Sequence, residues 1–129
     1  LSSRKVESML DLARRFADGS LSDARMAALP DAELRAAIVE VHGLGPWTAD
    51  MHLMFALGHP DVLPVGDLGV RRGVQLLHGL PELPTPAEME ALTAGWRPWR
   101  SVGSWYMWRV AEAAAAAAKK DKKPASKKK

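Results

Sequence analysis

Apolar positions in this chain recur at helical spacing, and nowhere do they alternate over a stretch long enough for a strand. Val6, Met9, Leu10 and Ala13 predict a first helix from about residue 4 to 17, closed by Asp18-Gly19-Ser20 with Gly19 just past its end. A short helix is expected after Ser22. Pro30 then breaks the chain, and Asp31 is expected to cap a helix whose inward face is Leu34, Ala37, Ile38 and Val41. Gly43 and Gly45 make a hairpin into a helix from about Trp47 to Leu57. A loop from Gly58 to Gly66 carries two prolines, and its Val62–Val65 stretch is too short and proline-broken for a strand. Asp67 stands where an N-cap belongs, ahead of Val70, Val74 and Leu77. Gly69 and Gly73 lie four apart on one face and predict close approach of another backbone. Thr85-Pro86-Ala87-Glu88 fits a capping box with Pro at the first helical position. A last helix is expected from about Trp99 into the alanine run. The expectation is an all-α chain of six or seven short helices, with no internal repeat.

Composition narrows this picture. At 129 residues and 47% hydrophobic, the chain suits one small packed domain. It has no cysteine, which excludes disulfides, thiol catalysis and thiolate-held zinc or iron–sulfur sites. The longest apolar run, Ala113–Ala118, is too short to span a bilayer, and no membrane partner is expected. The charge is uneven. Residues 1–118 hold 11 Lys and Arg against 14 Asp and Glu, whereas residues 119–129 hold 7 Lys and 1 Asp. The basic balance therefore belongs to a tail, 119–129, expected to be disordered through self-repulsion. Such a run suits a nuclear-import signal or a non-specific DNA tether, or it serves only solubility. The chain starts at Leu1 inside a helical pattern, without an initiator Met, and is expected to be a piece lacking N-terminal helices.

Three groups of residues suggest chemistry. A hairpin built on Gly43-Leu44-Gly45 exposes backbone N–H groups where side chains do not block a phosphate, and the helix opening at Trp47 and Thr48 adds its positive dipole end. Its carbonyls are also suited to a monovalent cation bridging to that phosphate. A plain turn between helices has the same glycines, so the pattern alone is weak. Asp67 places a carboxylate at a helix start, which is ordinary capping and is also what an oxocarbenium-like sugar needs nearby. Trp96, Trp99, Trp105 and Trp108, interleaved with Arg97, Arg100 and Arg109, offer aromatic faces for an extruded base. Core packing is the competing expectation for most of the five tryptophans. The histidines at 42, 52, 59 and 78 lack metal-ligand spacing, so no side-chain metal site is expected.

In three stretches the chain resembles the C-terminal part of a helix-hairpin-helix DNA glycosylase, in the 3-methyladenine DNA glycosylase II branch. They are Val41-His42-Gly43-Leu44-Gly45-Pro46-Trp47-Thr48-Ala49, then Asp61-Val62-Leu63-Pro64-Val65-Gly66-Asp67-Leu68-Gly69-Val70, then Trp96-Arg97-Pro98-Trp99-Arg100-Ser101. Each is weak alone; their order and spacing make the match specific, and it covers nearly everything before the tail. The resemblance implies a glycosylase-type helical bundle over 1–118, truncated at its N-terminus, without the helices that complete the pocket and carry the wedge residue. It implies Asp67 as the catalytic carboxylate, and Gly43, Leu44, Gly45, Trp47 and Thr48 as the phosphate hairpin. Trp108 matches the tryptophan that stacks on the flipped base, with Trp47 as a second wall, and Met51 falls where some relatives place a pocket tyrosine. Trp47 also falls where bifunctional members carry a Schiff-base lysine, so the implied reaction is monofunctional.

The implied function is hydrolysis of the glycosidic bond of alkylated purines in double-stranded DNA, during base excision repair, by a monomer without a cofactor. From the basic tail, the expected location is the nucleus if the source is eukaryotic, and otherwise the cytoplasm. The alternatives are a non-catalytic helix-hairpin-helix DNA-binding module, or a helical scaffold with a basic tail.

Overall fold

The computed structural model describes residues 2–121. Among them are seven α-helices, one π-helical turn and one 3-10 turn, and no strand. The chain divides after Pro64 into two compact units.

The first unit opens with α1, Ser3–Ala17. Gly19 at φ 78 ends it, and the Leu21 N–H folds back onto the Arg15 carbonyl at 2.9 Å, which buries the Leu21 side chain. Helix α1 is oriented against its own pattern. Val6, Met9, Leu10 and Phe16 stay exposed, and no residue of the helix is buried. Its polar side instead meets the rest of the unit, as described below. Helix α2, Asp23–Ala28, starts from Ser22, whose hydroxyl accepts the Arg25 N–H. Helix α3 is Asp31–Val39, with Pro30 as the N-cap. Asp31 is therefore the first helical residue and makes no cap. It meets His59 Nδ1 at 2.8 Å instead. Leu34, Ile38 and Val41 form the expected inward face, while Ala37 is only half-buried.

The helix expected over 47–57 begins one residue earlier, as α4, Pro46–Met51, with Pro at N1 where its missing N–H costs nothing. It then widens into a π turn, His52–Ala56, in which the Leu57 N–H reaches back to the His52 carbonyl at 3.1 Å. The proline-broken stretch is not a strand, as expected, but it is core: Val62, Leu63 and Pro64 are all buried.

The second unit holds α5, Leu68–His78, α6, Pro86–Thr93, a 3-10 turn at Ala94–Trp96, and α7, Arg100–Asp121. Gly79 at φ 62 closes α5 in the left-handed conformation that favours glycine. The capping box at Thr85 and Glu88 forms in full. Helices α5 and α7 pack closely because Gly73 has no side chain: a Cβ there would collide with the Met107 backbone carbonyl. Ser104, Met107, Val70, Val74 and Met89 are buried, as are Gln75, Thr93 and Arg100. The Arg97–Pro98 bond is cis, and Gly103 lies so close to the Trp96 ring that a Cβ would overlap it. Lys119, Lys120 and Asp121, expected to begin the disordered tail, continue α7. The remainder of the expected tail, 122–129, lies outside the described residues. No described helix is long and apolar enough to cross a membrane.

None of the five tryptophans is buried, contrary to the core-packing expectation; Trp47, Trp99 and Trp105 are about half exposed or more. Valine, leucine and methionine fill the core instead, and the indoles are left at or near the surface.

Candidate functional site

In the second unit, Asp67 ends the loop in an extended conformation, φ −75 and ψ 120, as the N-cap of α5. Its Oδ1 accepts the Val70 N–H at 2.8 Å, the capping bond expected for this residue type. The same oxygen accepts the indole Nε1–H of Trp108 at 2.8 Å, from forty-one residues along the chain. One carboxylate oxygen is thus held by two donors from two helices, which fixes the plane and position of the group. A hydrogen bond to an ionised acceptor is about twice as strong as a neutral one.

Gly69 explains how the indole gets there. A Cβ at this position would lie 2.7 Å from Trp108 Cδ1 and 3.2 Å from Asp67 Oδ1. Any side chain on Gly69 therefore competes with the Asp67–Trp108 bond. The two glycines expected to admit a neighbouring backbone divide this work. Gly73 admits the α7 backbone, and Gly69 admits an indole.

Farther along the same helix face, Trp105 packs edge-on against Tyr106, with ring centroids 5.2 Å apart at 84°. The Arg109 guanidinium lies 5.7 Å from the Trp105 ring centroid and also meets Glu112 at 2.9 Å. In the Trp96–Ser101 stretch, buried Arg100 donates to Glu90 at 2.9 Å, so its charge is used inside the unit.

The hairpin belongs to the first unit and spans the exit of α3 to the start of α4. Gly43 takes φ 78, and a Cβ there would collide with the Ser8 hydroxyl of α1. The positive φ favours glycine at 43, and a side chain there would also have to displace the Ser8 hydroxyl. Gly45 is different. Its φ of −123 and ψ of −178 are open to any residue, and a Cβ would meet nothing within 4 Å. Neither strain nor crowding requires a glycine at 45, although glycine is favoured over alanine at this N-cap, and the open space beside it suits a group from outside the chain. Leu44 spends its N–H on the Val41 carbonyl at 3.1 Å, which removes one of the donors expected for a phosphate. Pro46 has none to give. Trp47 follows as the second helical residue with its indole about half exposed, and Thr48 and Met51 lie half-buried on the same short helix. Trp47 and Met51 are one turn apart and so share a face.

Two helices flank the hairpin, and a partly buried ion pair joins them: Arg35 of α3 donates to Asp50 of α4 at 2.9 Å. Asp50 is buried, and that burial pushes its carboxyl above the usual range against the pull of Arg35. Sequence reasoning passed over this pair, because Arg and Asp fifteen apart have no signature until the hairpin brings them together. It also passed over Asp11, which reaches the hairpin from α1.

The structure joins Asp67 to Trp108 in one unit and gathers Gly43, Leu44, Gly45, Trp47, Thr48 and Met51 on one hairpin and helix in the other. Residues 1–98 match a family described as HhH-GPD superfamily base excision DNA repair protein. The chain is 33% identical over 111 residues to a putative DNA-3-methyladenine glycosylase of Bacillus subtilis, covering 86% of this chain and 39% of that protein. It is 32% identical over 114 residues to DNA-3-methyladenine glycosylase 1 of Schizosaccharomyces pombe, covering 88% of this chain and 50% of the relative. The chain therefore spans half or less of the length of these relatives. Its fold resembles a solved 3-methyladenine DNA glycosylase of Schizosaccharomyces pombe in complex with abasic DNA, with a TM-score of 0.80 and 32% identity, over 84% of this chain and 53% of that one.

Proposed function

Because the chain belongs to the HhH-GPD superfamily of base excision DNA repair proteins, we propose that it serves in a monofunctional DNA N-glycosylase that releases alkylated purines of the 3-methyladenine type from duplex DNA. The observation that carries this reading is the doubly held carboxylate. Asp67 Oδ1 is fixed by Val70 N–H and Trp108 Nε1–H, so its charge is oriented before any substrate arrives.

The chemistry follows from the leaving group. Most glycosidases use one carboxyl group to protonate the departing oxygen and a second to act on the other face. A purine methylated at N3 or N7 already carries a positive charge. When its bond to C1′ breaks, the electron pair goes to the ring nitrogen and the base departs neutral, without a proton from the protein. The remaining demand is to stabilise the sugar cation until water adds to C1′ and gives up a proton. A preorganised carboxylate does that electrostatically. The indole of Trp108 stands beside that carboxylate and offers a face to an electron-poor base. Trp47, at the position of the Schiff-base lysine in bifunctional members, has no amine and forms no imine; the product is an abasic site in an uncut strand.

Gripping the DNA falls to the hairpin. The open space at Gly45 and the exposed backbone around Gly43 suit a backbone phosphate, whose binding offsets part of the few kcal/mol that extruding a nucleotide costs.

The test is free-base release from methylated duplex DNA by the wild-type protein and by Asp67→Asn. Asparagine caps helices as well as aspartate, so the variant keeps the fold and loses only the charge. Excision is expected to fall about 10²-fold or more, the scale on which preorganised charge stabilisers act. Equal release by both removes Asp67 from the mechanism. Binding of DNA without release by either makes the protein a helix-hairpin-helix binding module.

A further inference from the structure

Helix α1 meets the hairpin through its polar side. Asp11 Oδ2 accepts the backbone N–H of His42, the residue before Gly43, at 2.8 Å. Four residues on, Arg15 donates from Nη2 to the Glu40 carbonyl at 2.9 Å. One turn earlier, Ser8 fills the space that a side chain at residue 43 would need. Three successive positions on one face of α1 thus fix three points along the entry to the hairpin. Asp11 is the central one, and its side chain is only 11% exposed.

The arginines around Asp11 are consumed by the same arrangement. Arg14 is ion-paired to Asp11 Oδ1, and Arg15 approaches Oδ2 through Nε at 3.3 Å and Glu40 at 3.5 Å. Asp11, Arg14 and Arg15 line a groove of about 520 Å³ together with Glu7, Leu10 and His42. Two guanidiniums facing the carboxylates of Glu7 and Asp11, with Arg15 paired also to Glu40 outside the lining, leave this groove without surplus positive charge. It is therefore poorly suited to hold a phosphate through its arginines.

We infer that Asp11 is a positioning residue for the hairpin: it anchors the His42 backbone to α1, so that the hairpin meets a DNA phosphate with its backbone already set, while Arg14 and Arg15 serve the anchor and not the DNA. This inference rests on the hairpin being the phosphate site, as proposed above. A hydrogen bond to a charged acceptor across thirty-one residues of chain restricts the loop before binding, and loops set in advance lose less freedom on binding.

The experiment compares wild-type protein with Asp11→Ala, Asp11→Asn and Arg14→Ala. Affinity for an undamaged duplex is measured by fluorescence anisotropy across a salt series, and amide hydrogen exchange is followed residue by residue without DNA. In Asp11→Ala, exchange should rise at residues 42–45 and stay unchanged in α3, and affinity should fall about tenfold, as expected for a lost hydrogen bond to a charged acceptor. Asp11→Asn keeps an acceptor for the His42 N–H and should bind close to wild type. Arg14→Ala should leave the slope of affinity against salt unchanged, because no counterion release depends on it.

Wild-type affinity in Asp11→Ala overturns the inference. So does an increase in exchange spread evenly over α1 and α3, which marks a packing role alone. A salt slope reduced in Arg14→Ala overturns the assignment of that arginine to the anchor. No duplex binding by the wild type defeats the phosphate reading itself, and with it the DNA half of this inference. The exchange arm would then still report on the anchor.

Discussion

Gly45→Ala separates folding from DNA binding by their sign. The backbone at 45 is extended, and the added methyl enters open space, so the substitution introduces no strain and no clash. Two further effects on stability oppose each other. Alanine has less freedom than glycine in the unfolded chain, which stabilises the fold by about 0.4–1 kcal/mol. Residue 45 is also the N-cap of α4, where alanine is worse than glycine by up to about 1 kcal/mol. The sum lies within about 0.5 kcal/mol of zero, or roughly 2–4 °C in melting temperature for a domain of this size. DNA binding has no such compensation. If a phosphate oxygen approaches the bare backbone at 45, the methyl occupies its path and removes a charge-assisted contact worth about 1.5–3 kcal/mol. That is about 10- to 100-fold in Kd. Thermal melting and anisotropy on one protein preparation read both quantities. Unchanged affinity alongside an unchanged melting temperature would falsify the reading of Gly45 as space left for a phosphate.

Three further outcomes are expected. Gly69→Ala forces Trp108 off Asp67, and Trp108→Phe removes the same N–H, so each should lower base release about tenfold or more while duplex affinity holds; full activity in both shows that Asp67 needs no indole donor. His52 Nε2 is buried with no hydrogen-bond partner among the described residues, so His52→Phe should raise the melting temperature, by about 1–3 kcal/mol in stability if that atom carries the full penalty of an unsatisfied group; a lower melting temperature refutes the account. Asp50 has a carboxyl raised by burial, so in the folded protein it binds its proton more tightly than in the unfolded chain. Its contribution to stability is therefore lost as pH rises from the ordinary value of 3.8, and the stability of Asp50→Asn relative to wild type should climb over that interval and then level off. Denaturation at a series of pH values that shows a flat difference contradicts the raised carboxyl.

Local chemistry was legible in the sequence wherever one short segment decides its own conformation. Gly19, Ser22, Asp67, Thr85 with Glu88, and Gly43 did what their residue types predict, because caps and left-handed turns are settled within a few residues. Asp31 failed by one position, since Pro30 could take the extended cap conformation and still open the helix. The tryptophans failed for another reason. Burial depends on what neighbouring helices leave room for, and that is settled by long-range packing, such as the close α5–α7 approach at Gly73, and not by residue type. The π turn at His52–Ala56 follows a run that reads as ordinary helix, and nothing in its spacing announces the change.

The sequence alone determined the all-helical class, the element boundaries to within a few residues, the family, and the residues to suspect: a glycine hairpin, Asp67 and the tryptophan-rich end. Those signals are local, periodic or contained in short motifs. Only the tertiary structure decided which partners these residues have. It set the Trp108 indole on Asp67, tied Asp11 to the hairpin, buried Asp50 against Arg35, and showed that positive φ and crowding favour glycine at 43, whereas neither requires it at 45. Each of these joins residues far apart in the chain or depends on the space around one of them. Such meetings follow from how helices pack, which no short stretch of the chain encodes by itself.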